Sequence, residues 1–152
     1  QCKHKVQCKH KVQCKHKVQC KHKVKKINIG KGMVLVMEKS EQDLLESNGF
    51  DVEGALKRFL NNEALYKKCL KKFLNDKSYE QLKEAYASSN CEEAFKCAHT
   101  MKGFVSNLGI NKMFHLLIPM VEKLREQNIN IAEEMQQLDE LYHQTYKLIE
   151  DL

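Results

Sequence analysis

Residues 90–110 read NCEEAFKCAHTMKGFVSNLGI. Asn90 with Glu93 three positions on is the chemistry of a helix start, where a short polar side chain accepts a backbone N–H of the first turn. Gly109 supplies the stop, because glycine enters the left-handed conformation that closes a helix without a Cβ penalty. Between them Ala94, Ala98, Met101, Val105 and Leu108 recur at intervals of four, three, four and three, the spacing of one buried helical stripe. The stretch predicts a helix from Cys91 to about Leu108 with this seam turned inward.

The same periodicity extends on both sides. Downstream, Asn111 to about Gln127 turns Met113, Leu117, Met120 or Val121, and Leu124 inward, with Pro119 removing one backbone bond and bending the helix. The last helix, Ile131 to Ile149, repeats Ile131, Met135, Leu138, Leu141 or Tyr142, Thr145 and Leu148. Upstream, Ser40 ahead of Glu41, Gln42 and Asp43 caps a short helix that Asn48-Gly49 stops. A second short helix follows from about Asp51 to Leu60. Asn62 then caps a longer one with Leu65, Cys69, Leu70 and Phe73 inward, continuing through a kink near Asn75 to Ser78 into Tyr79 to Ser88. The expected fold is all-α, an antiparallel four-helix bundle with short N-terminal cap helices.

Charge divides the chain differently. Of 26 Lys and Arg, ten fall in residues 1–26, which contain no acid; residues 27–152 hold the other 16 and all 20 acidic residues, a balance of −4. The basic excess therefore belongs to the tail and does not make the body a nucleic-acid binder. Residues 1–24 are QCKHKV four times over, a low-complexity basic repeat expected to be disordered or extended. Residues 27–38 then read as a linker and 39–152 as the bundle. Cys2, His4, Cys8 and His10 alternate as soft metal ligands would on one side of an extended chain. Their spacing lacks the loop-separated pairs of a closed zinc site, and the lysines oppose cation loading. The plainer account of the tail is a non-functional extension, which includes a tandem repeat translated ahead of a start at Met33 or Met37. Cys69, Cys91 and Cys97 in the body suit reduced, packed thiols. No apolar run approaches the length of a bilayer span, and the start lacks the pattern of a secretory signal. The expected location is cytoplasmic, without membrane insertion and without a specific nucleic-acid partner.

Off the core seam, Phe95, His99, Lys102, Gly103 and Ser106 share a second face at about 100° per residue. It joins an aromatic ring, an imidazole, an ammonium and two small side chains. A glycine in mid-helix costs about 1 kcal/mol relative to alanine, so something other than helix stability favours Gly103. One turn beyond His99, it clears room for the imidazole to rotate and for another backbone to approach. Each residue also has a plainer reading: an interfacial histidine, a solvated lysine, packing relief at a helix crossing. His115 and His143 lack comparable neighbours and read as solvent-facing.

The stretch CAHTMKGFVSNLGI, Cys97 to Ile110, resembles the phosphosite helix of histidine-containing phosphotransfer (HPt) domains, with matches at His99, Lys102, Gly103, Asn107, Leu108 and Gly109. Gly49-Phe50-Asp51-Val52, Ala55-Leu56 to Phe59, the LYKKCLKKFLND stretch from Leu65 and the helix pair after Gly109 follow the family's layout over about residues 40–150. The resemblance implies that His99 accepts a phosphoryl group on its outer ring nitrogen from a receiver-domain aspartate and returns it to another. Lys102 compensates charge on the transferring oxygens and Gly103 gives steric clearance. It implies response-regulator receivers and a hybrid sensor histidine kinase as partners, Mg2+ on the receiver, and no intrinsic cofactor or autonomous kinase activity. Phe95, Phe104 and Ser106 would dock the partner. Phe104 stands where the family more often has a small residue. The polar side chain that often holds the inner ring nitrogen has no counterpart in the apolar stretch Leu116 to Val121. Two competing functions remain open on the residues: a helical module that binds receivers without carrying phosphate, and a metal-binding tail.

Overall fold

The computed structural model describes residues 37–152, which form seven helices. In order they are α1 (Lys39–Ser47), α2 (Val52–Arg58), α3 (Glu63–Phe73), α4 (Ser78–Ala87), α5 (Cys91–Leu108), α6 (Asn111–Arg125) and α7 (Ala132–Glu150). The described residues contain no sheet, only an isolated antiparallel bridge between Phe50 and Ile110. The joined pair α3 and α4, together with α5, α6 and α7, supplies the four core helices. The short α1 and α2 precede them, as the sequence leads one to expect.

Local chemistry sets the boundaries. Asn62 Oδ1 accepts from Leu65 N at 2.9 Å and Asn90 Oδ1 from Glu93 N at 3.1 Å, so both asparagine caps stand as read. Ser40 does not cap α1. Glu38 holds that position, and the Glu41 carboxylate accepts its N–H at 3.1 Å, one half of a capping box. The expected kink between α3 and α4 is a full break at residues 74–77, after which Asp76 Oδ1 accepts from Ser78 N at 3.0 Å. α6 ends at Arg125, earlier than the periodicity alone places it.

Ala94, Ala98, Met101, Val105 and Leu108 of α5 are all buried, and Met113, Leu117, Met120, Val121 and Leu124 meet them from α6. In α7 the inward residues are Met135, Leu138, Tyr142, Thr145 and Ile149, with Leu148 only half-buried. Leu65 is a correction: it points outward, while Tyr66 and Lys67 are buried in its stead. Burial of Lys67 is compensated by Glu41 at 2.6 and 2.8 Å, which ties α1 to α3. Tyr79 stacks on Tyr142 at 3.9 Å and donates its hydroxyl to Asp139, fastening α4 to α7.

The end of α5 is held from outside itself. Its last carbonyls have no intrahelical donors, and neighbours supply them: Arg58 Nε to Asn107 O at 3.3 Å, Tyr66 hydroxyl to Leu108 O at 3.0 Å, Asp51 N to Gly109 O at 2.8 Å. Tyr66 is fully buried, which also pushes its phenol well above the usual range. Tyr66→Phe leaves the Leu108 carbonyl without that donor and lowers stability by about 1–3 kcal/mol, to be read from the urea midpoint at constant m.

Candidate functional site

α5 carries the candidate residues because its seam fixes its rotation. With the buried stripe turned inward, His99 and Gly103 emerge exposed, and Phe95, Lys102 and Ser106 sit half-buried beside them. Phe95 and His99 lie one turn apart with ring centroids at 5.7 Å and a tilt of 36°. A Cβ placed on Gly103 meets nothing within 4 Å, so the fold does not require that glycine. Gly103→Ala therefore raises stability by about 1 kcal/mol, measured by the same denaturation.

Charge near the ring divides into engaged and available groups. Lys96 is held by Glu92 at 2.8 Å and Glu93 at 3.8 Å, and the hydrogen bond to Glu92 raises its pKa above the ordinary lysine value. Lys102 has no ion-pair partner among the described residues. A further cation is Arg125, at the end of α6. Its guanidinium carbon stands 5.7 Å from the Phe95 ring centroid, and the same group pairs with Glu122 at 2.8 and 3.0 Å. Phe95 thus has both a guanidinium and the imidazole at 5.7 Å from its ring centroid. Arg125 escaped the sequence reading because its relation to His99 depends on helix register across the α5–α6 pair. The Glu122–Arg125 spacing was the visible part of the signal.

Phe104 goes elsewhere. Five residues past His99 it is rotated by about 140°, and its half-buried ring stacks on Phe73 at 6.4 Å, packing against the core. Leu117, Met120 and Val121 of α6 are fully buried in the core, and Ile118 is exposed at 37%. No hydrogen bond from another described residue holds the His99 ring, which leaves both ring nitrogens open to solvent or to a partner. His115 and His143 are exposed, the latter with Nδ1 2.8 Å from the Asp139 carbonyl within α7. Cys97 is buried two residues from His99, and burial pushes its thiol up.

The site lies on an exposed face of α5. A depression lined by Asn48, Gly49, Lys112, Gln144 and Thr145 lies elsewhere in the bundle, and none of the His99 group lines it. Among the described residues no cluster of three or more side chains is arranged to hold a metal ion, and Cys2, His4, Cys8 and His10 lie outside the described residues. No described helix is long and apolar enough to cross a membrane. No protein-family model matches this chain, and neither do the curated protein sequences or the solved structures compared with it.

Proposed function

We propose that the chain is a histidine phosphotransfer module, with His99 as the residue that carries phosphate between receiver-domain aspartates. The single observation that carries the reading is the exposure of His99 on the outer face of α5 with Lys102 and the bare backbone of Gly103 one turn away. An exposed imidazole on the outer face of a helix suits a phosphodonor that is itself a protein surface.

In the incoming step the Nε2 lone pair attacks the phosphorus of an aspartyl phosphate, the bond from phosphorus to the carboxyl oxygen breaks, and the carboxylate leaves on the receiver. The outgoing step reverses this on another receiver. Mg2+ held by the receiver neutralises charge on the phosphoryl oxygens, and Lys102 adds a donor from this side. Loss of one charged hydrogen bond of that kind slows transfer about ten- to hundredfold, so Lys102→Gln shows that reduction in label acquired per second while its urea midpoint stays unchanged.

A second reading has its own observation. With no hydrogen bond from another described residue holding the imidazole, the same face serves a scaffold that binds receivers without taking phosphate. Mixing the chain with a phosphorylated receiver separates the two: label moving onto the chain supports transfer, and a complex that leaves all label on the receiver supports the scaffold.

A further inference from the structure

We infer that the Leu60 turn and the outer face of α3 form a docking surface for an anionic lipid bilayer, a property independent of the phosphorelay reading. Five helices close in the same way, with one residue donating to the carbonyl three before it and the next residue to the carbonyl five before it. This Schellman geometry places its key residue in the left-handed region, where glycine is favoured. The residues there are Gly49 (φ 90°), Leu60 (φ 55°), Ser89 (φ 54°), Gly109 (φ 75°) and Gln127 (φ 58°). Only at the end of α2 is the residue a large apolar one. Leu60 N donates to Lys57 O at 3.2 Å and Asn61 N to Leu56 O at 2.8 Å, and Asn61 is also left-handed at φ 57°. The side chain this turn projects is 89% exposed. The bundle gains no packing from a leucine that a glycine would replace with less strain.

The neighbouring surface supplies the chemistry of the partner. Leu65, 44% exposed, lies on the outward face of α3, and Lys68, Lys71 and Lys72 continue that face, all exposed. None of the three has an ion-pair partner among the described residues. Residues 27–152 carry −4 overall, so this concentration of unpaired positive charge runs against the average of the body. Like charges spaced three and four along a helix repel, and an anionic surface relieves that repulsion. A protruding leucine in the turn leading into α3, together with the exposed lysines of that helix, combines apolar insertion with attraction to acidic headgroups. The charge also argues against a second copy of the same face as the occupant.

The chain contains no tryptophan, so Leu60→Trp in the full chain gives a local probe that the basic tail does not report on. With vesicles of phosphatidylcholine and phosphatidylserine the indole emission shifts to the blue and is quenched by brominated acyl chains. Phosphatidylcholine alone produces neither change. Adding Lys68→Gln, Lys71→Gln and Lys72→Gln moves the midpoint to higher lipid by about fivefold per lysine removed. The inference is overturned if the chain sediments with anionic vesicles while the emission stays put, which leaves the tail as the binder. It is overturned equally if no vesicle moves the emission, or if polyglutamate moves it and vesicles do not, which assigns the surface to an acidic protein.

Discussion

Gly109→Ala lowers the stability of the bundle by about 3 kcal/mol, enough to remove a large share of the few kcal/mol that hold a domain of this size folded. Two costs add. The backbone at Gly109 has φ 75°, a left-handed conformation that costs an L-residue about 1–2 kcal/mol. The new Cβ also lies 2.5 Å from the Asp51 carbonyl oxygen and 3.1 Å from its carbon, which is backbone and cannot rotate away. Relief requires α5 and the start of α2 to part, weakening the Asp51 N to Gly109 O bond of 2.8 Å. Urea unfolding checks this as a lower midpoint at constant m, and a change under about 0.5 kcal/mol contradicts it. The same replacement six residues earlier, at Gly103, has the opposite sign because a Cβ there meets open space. One glycine serves the fold and the other does not.

The second large effect is on function. His99→Gln reduces acquisition of phosphate from a receiver by on the order of a thousandfold or more, as loss of a nucleophile does. Glutamine approximates the size and polarity of imidazole but offers no nucleophilic ring nitrogen. Because His99 is exposed and no described residue hydrogen-bonds its ring, the substitution changes stability by less than about 0.5 kcal/mol. Receiver affinity stays close to that of the unaltered chain, since Phe95, Lys102 and Arg125 remain. Measured together, transfer, binding and unfolding midpoint isolate the chemical step. Transfer that persists at the original rate removes His99 from the mechanism.

Much of the fold is legible in the residues, for identifiable reasons. Amphipathic spacing gives the inward set of α6 and, apart from Cys97, that of α5, and Asn62, Asn90 and Gly109 mark helix ends through local hydrogen bonding that needs no tertiary knowledge. Errors arise where a neighbour decides. Glu38 caps α1 in place of Ser40 through the capping box it shares with Glu41, and that carboxylate also receives Lys67 from α3. Leu65 turns outward because Tyr66 fills the interior and reaches the Leu108 carbonyl, a partner 42 residues away. The functional face follows similar logic. His99, Lys102, Gly103 and Ser106 lie on one helix, so their common side is visible from spacing alone. Arg125 comes from another helix, and Phe104 is drawn off by Phe73, so neither placement is written in the local pattern.

The most direct measurement of the central claim is to map the phosphate after the full chain meets a phosphorylated receiver. The tail contributes His4, His10, His16 and His22 and the body His99, His115 and His143, so the site must be assigned by peptide and by linkage. Phosphate on the peptide containing His99, labile to acid and stable to base, is the predicted result. Phosphate on a tail histidine, on a hydroxyl, or nowhere on a chain that binds the receiver contradicts it.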